Sequence, residues 1–147
     1  MATTGDSSAR AESPTVVLVV DPDPGERERM IAACRAAAAE IGRAIAIEQA
    51  ADGTTALAVW SDKRPRIVVA EVVLEGLSGF ALVRRILATD DAACIVLVTA
   101  MAREADRYWG LRLGALAYLG KPYEDAQLRT WVRKAMTDGR KARPLVS

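Results

Sequence analysis

Four times along this chain a short apolar run leads to a polar side chain at or just past its end. Val16–Val20 stops at Asp21, Ile67–Ala70 at Glu71, Ile95–Val98 at Thr99, and Ala115–Leu119 stands just ahead of Lys121. Apolar runs this short, mostly β-branched and without alternation, are the pattern of strands covered on both faces, as in a parallel sheet with helices on each side. Ile45, Ile47 and Gln49 alternate with Ala46 and Glu48, which adds a half-exposed strand between the first two runs.

Helical spacing fills the intervals. Asp23 is placed to cap a helix with Pro24 in its first turn; Met30, Cys34, Ala37 and Ile41 then recur on one face, and Gly42 stops it. Asp52-Gly53 turns into a short helix carrying Ala56, Leu57 and Trp60, which Arg64-Pro65 ends. A loop with Gly76 and Gly79 precedes a helix presenting Phe80, Val83, Ile86 and Leu87. A fourth helix is predicted from Ala102 to Leu113 with Gly114 as its stop, and a fifth, after Lys121-Pro122, shows Leu128, Val132, Ala135 and Met136. Five βα units in succession predict a doubly wound α/β sheet with right-handed crossovers.

A length of 147 residues, 51% of them apolar, suits one domain with a continuous core. Expected boundaries are a disordered N-terminal tail over 1–14, the domain over 15–138 and a flexible basic tail over 139–147. Twenty basic against 19 acidic residues leave a charge of +1, too little for a nucleic-acid footprint even though Arg129 to Arg143 is locally basic. Cys34 and Cys94 lie in apolar patterns and read as small core residues. The chain has no histidine, which removes the usual general base and any histidine phosphocarrier role. No secretory leader or membrane span is legible, so a cytoplasmic location is expected.

In a doubly wound sheet the carboxyl ends of the strands share one edge, where ligands bind. That edge should gather Asp21 and Asp23 from the first strand, Glu71 from the third, Thr99 from the fourth and Lys121 from the fifth. Each is bland alone. Asp23 is explained equally well as a helix cap, and Thr99 as an ordinary strand-end threonine.

The order of these motifs resembles the response regulator receiver family. Val-Val-Asp-Pro-Asp-Pro looks like its acidic-pair motif, Ala-Glu-Val-Val-Leu-Glu-Gly-Leu-Ser-Gly-Phe like its acceptor loop and Val-Thr-Ala like its hydroxyl motif. Gly-Ala-Leu-Ala-Tyr-Leu-Gly-Lys-Pro-Tyr is similar to its last strand, with the switch aromatic at Tyr118 and the lysine at Lys121. The resemblance covers Val16 to about Met136 and implies a CheY-like sheet of five strands in the order 2-1-3-4-5, flanked by five helices. Two departures fall in the site. Glu71 stands at the position of the acceptor aspartate, and Pro22 at that of the second acid of the metal-binding pair.

Both departures oppose phosphorylation. A glutamate carries its oxygen about an ångström too far for in-line attack, and a misplacement of that order costs roughly 10²-fold. Proline supplies no ligand, which leaves at most a weak Mg²⁺ site at Asp21 and Glu71. Lys121 becomes the natural counter-ion of Glu71, with Thr99 as a further donor. The implied function is a phosphorylation-independent receiver that signals by protein–protein interaction, with Glu71 either imitating the active state or holding an inactive one.

The family uses the face of its fourth helix, fifth strand and fifth helix for dimers and effectors. Tyr108, Trp109 and Trp131 are the aromatics of the last two helices, although Trp131 follows Leu128 by three residues and extends an apolar stripe. Expected partners are a protein effector or a protein of a histidine-kinase pathway, or a second copy of the chain; neither nucleic acid nor membrane is expected. A rival reading resembles the haloacid dehalogenase phosphohydrolases, with Asp21 as nucleophile, Asp23 as general acid, and Thr99 and Lys121 as phosphate binders. Against it stand Gly25 in place of a threonine or valine, the lack of an acidic pair after Lys121 and the lack of a cap insertion. A non-switching scaffold module remains a third reading, while a nucleotide site fails for want of a Gly-rich loop after the first strand.

Overall fold

The computed structural model describes residues 13–143. Strands β1 (Thr15–Val20), β2 (Ile45–Ala50), β3 (Ile67–Ala70), β4 (Cys94–Thr99) and β5 (Ala117–Gly120) alternate with helices α1 (Pro24–Glu40), α2 (Gly53–Lys63), α3 (Gly79–Thr89), α4 (Glu104–Leu113) and α5 (Asp125–Asp138). All strand pairings are parallel, and the sheet order is β2-β1-β3-β4-β5. The expected doubly wound fold is therefore the observed one.

Successive side chains of a strand point to opposite faces, so the apolar runs feed two cores at once. Val17, Val19, Val69, Val96 and Val98 pack beneath α1 and α5 with Met30, Cys34, Leu128 and Val132. Leu18, Val20, Val68, Ile95 and Leu97 pack on the other side with Ala56, Trp60, Leu82 and Ile86. Edge strand β2 is half-buried over most of its length, as its alternation predicted. Cys34 and Cys94 are buried free thiols.

Local rules set the helix ends. The Asp23, Asp52 and Ser78 side chains accept the N–H groups of Glu26, Thr55 and Ala81, capping α1, α2 and α3. Arg64, the C-cap of α2, has φ +49°, and its guanidinium lies 4.6 Å from the centre of the Trp60 ring. Helix α4 begins at Glu104 instead of Ala102, and β5 at Ala117 instead of Ala115, because Ala115 and Leu116 first join the loop to the sheet through Leu116 N–H and the Ile95 carbonyl.

The stretch expected to be a flexible basic tail is in part built into the domain. Gly139–Ala142 forms a turn of 3-10 helix, Arg140 donates to the Gly114 carbonyl, and Arg143 donates to those of Leu111 and Ala115. Residues 1–12 and 144–147, which include most of the expected N-terminal tail, lie outside the described residues. Among the described residues no helix is long and apolar enough to cross a membrane.

Candidate functional site

The strand order reverses at β1, whose neighbours β2 and β3 lie on opposite sides, and the carboxyl ends of β1 and β3 place Asp21 and Glu71 side by side. Both are buried acids, at 1% and 7% exposure, so each needs a counter-charge or several hydrogen bonds. Lys121 supplies the charge. The Lys121 N–H donates to the Thr99 carbonyl at 2.8 Å, which anchors the loop after β5 to the end of β4. From there Nζ lies 2.7 Å from Asp21 Oδ2 and 2.9 Å from Glu71 Oε1. The peptide between Lys121 and Pro122 is cis.

Backbone donors take the remaining oxygens. Glu71 Oε2 accepts the Val72 and Val73 N–H groups at 2.7 and 3.0 Å, and Asp21 Oδ1 accepts the Asp23 N–H at 2.9 Å. Burial works to raise the Glu71 pKa. The Thr99 hydroxyl, the Val73 N–H and Lys121 outweigh it and hold the carboxyl below its usual range. Burial likewise works to lower the Lys121 pKa, and its bonds to Asp21 and Glu71 outweigh that, so the ammonium is held above its usual range.

Thr99, fully buried, accepts the Met101 N–H at 3.1 Å. Tyr118 reaches the same loop: its ring is buried, lies 6.3 Å from that of Phe80, and its hydroxyl donates to the Met101 carbonyl. Burial, with Asp106 and Glu71 nearby, pushes the phenol up to about 12. A Cβ on Gly110 would lie 2.7 Å from the Tyr118 ring, so α4 can pass here only because that residue is glycine.

The structure thus brings together Asp21, Glu71, Thr99 and Lys121, with Tyr118 one loop away. It does not bring in Asp23, whose exposed carboxylate caps α1 by accepting the Glu26 N–H at 3.1 Å. The expected acidic pocket is corrected accordingly: the second acid is Glu26, in the first turn of α1, with Oε1 3.9 Å from Lys121 Nζ. That oxygen is buried without a hydrogen-bond partner, as is the Tyr123 hydroxyl. A first-turn acid on the helix that starts at the pocket was the available signal. The amides of Val72 and Val73 had none.

The residues do not fit a resident divalent cation. The ammonium of Lys121 sits between the two carboxylates that would bind it, the Pro22 side chain offers no ligand, and no cluster of three ligating side chains occurs among the described residues. The geometry gives the phosphohydrolase reading no support, because the assigned general acid, Asp23, is engaged as the cap of α1. Of the aromatics, Tyr108 and Trp109 are half exposed on α4, with the Arg112 guanidinium 5.9 Å from the Tyr108 ring. Trp131 packs on the α1/α5 core, with Lys134 over its ring.

A model of the response regulator receiver domain family matches residues 17–133. The chain belongs to that family. This receiver domain is 31% identical over 114 residues to Protein PilH of Pseudomonas aeruginosa, covering 76% of the chain and 89% of PilH. It is 36% identical over 91 residues to the response regulator PleD of Caulobacter vibrioides, 59% of the chain but only 20% of PleD. Among solved structures it resembles a LuxR-family two-component response regulator from Aurantimonas at TM-score 0.72 and 27% identity, covering 87% of this chain and 89% of that one. The CheX–CheY–BeF3–Mg complex from Borrelia burgdorferi shares the fold at TM-score 0.71 and 22% identity, over 84% of the receiver and 90% of that chain. The receiver is thus a signalling domain of two-component systems, and no such relation supports a hydrolase.

Proposed function

We propose that this receiver works without phosphorylation, as a pseudo-receiver that transmits a signal in the cytoplasm through protein–protein recognition. One observation carries the reading: the Lys121 ammonium is already neutralised from within, held at 2.7 and 2.9 Å by Asp21 and Glu71. Glu71 stands where the family accepts a phosphoryl group. Its Oε1 is bound to the ammonium and its Oε2 to two amides, so neither oxygen is poised for attack. Asp21, Glu26 and Glu71 crowd around the Lys121 ammonium, so the cation that an incoming phosphoryl group would meet is already engaged.

The same contacts favour one fixed conformation. Thr99 and Tyr118, the switch positions, are both tied to Met101, through its N–H and its carbonyl. The effector or kinase-pathway partner is then recognised by a surface that does not switch. Incubating the chain with acetyl phosphate and Mg²⁺, followed by intact-mass spectrometry, tests this. No phosphoryl adduct is expected on the native chain or on Glu71→Asp, whereas Glu71→Asp combined with Pro22→Asp restores the second acid and is expected to gain labelling. Stoichiometric labelling of the native chain overturns the proposal.

A further inference from the structure

Glu71 also shapes the surface next to it. Its Oε2 holds the amides of Val72 and Val73, and of these two residues Val72 is buried and Val73 is 61% exposed. Val73 joins Pro22, Ala51 and Leu74 in the apolar wall of an open cleft of about 510 Å³, above the carboxyl ends of β1, β2 and β3. Asp52 and Glu75 complete the lining, and none of its residues is basic. The Asp52 carboxyl is held below its usual range by the Thr55 amide and hydroxyl.

We infer that this cleft docks a segment of a partner protein that presents an apolar side chain beside an arginine or lysine. The apolar part buries Val73, Pro22 and Leu74, and the cation meets Asp52 and Glu75. A volume of this size lies within the roughly 300–1,000 Å³ range of binding pockets. This deepens, and rests on, the reading of the receiver as a recognition module.

Short synthetic peptides that alternate leucine with arginine, leucine with glutamate, or serine with arginine serve as probes, titrated into the full chain and followed by amide NMR. The leucine–arginine peptide is expected to shift the amides of Ala51, Asp52 and Val73 to Glu75, and the other two are not. Val73→Ser and Glu75→Lys should each weaken that binding about tenfold, with the unfolding midpoint retained, while Trp109→Ala leaves it unchanged. Equal binding of the leucine–glutamate peptide, shifts confined to the Tyr108–Trp109 face, or full binding by both variants overturns the inference. Acetyl phosphate labelling is read on the same samples. No peptide shifts in a chain that takes no phosphoryl group overturns the docking alone, whereas labelling at Glu71 overturns the reading beneath it.

Discussion

Lys121 donates to two buried carboxylates at once, and removing it leaves both without a counter-charge. Lys121→Met is therefore expected to cost about 3–5 kcal/mol in urea unfolding. Glu71→Gln keeps the shape, leaves the Lys121–Asp21 pair and should cost less, about 1–3 kcal/mol. The pH dependence has a definite sign. The Glu71 pKa is lowered from 4.5 on folding, so its contribution is complete above that value and is lost as pH falls through the lower folded value. The Lys121 pKa is raised from 10.5, so its contribution is present below that value and is lost as pH rises through the higher folded one. Unfolding midpoints measured across pH should fall at both ends, and Glu71→Gln should flatten the acid limb. An unchanged acid limb in that variant would show that Glu71 is not the titrating group.

At the scale of elements, Asp23 separates a cap from a site residue. Asp23→Ala should destabilise α1 by about 0.5–2 kcal/mol, measured by denaturant unfolding, yet leave the Lys121 resonances in place. A comparable loss together with displaced Lys121 resonances would return Asp23 to the pocket. The elements themselves were legible because their signals are local: unbroken apolar runs for β1, β3 and β4, alternation for β2, a cap residue before α1 and the Asp52-Gly53 turn before α2. Asp21, Glu71, Thr99 and Lys121 were legible for the same reason, since each follows or ends a strand whose end is fixed by topology. The sequence leaves Asp23 open between cap and pocket and does not single out Glu26, because two acids near one helix start look alike. Only the turn of the backbone decides which faces the ammonium and which accepts an N–H.

Across the whole molecule the C-terminal turn is held onto the opposite, amino-terminal edge of the sheet. Arg140 and Arg143 reach the carbonyls of Leu111, Gly114 and Ala115, at the negative end of α4, where cations are favoured. Composition alone read this stretch as a loose basic tail, because nothing in a run of arginines announces which distant carbonyls they will meet. Replacing both arginines by alanine should lower stability by about 1–3 kcal/mol and speed hydrogen exchange at the end of α4, with no effect on the carboxylate pocket. The exposed pairs of Glu40 with Arg129 and Arg133 join α1 to α5 and should contribute far less. The ammonium clamped between Asp21 and Glu71 has a last consequence, on the proposed reading. A domain that satisfies its own lysine needs no upstream donor to be charged and no phosphatase to be reset. The cell would then adjust its output through synthesis, degradation and competition among binders, so that copy number becomes the signal.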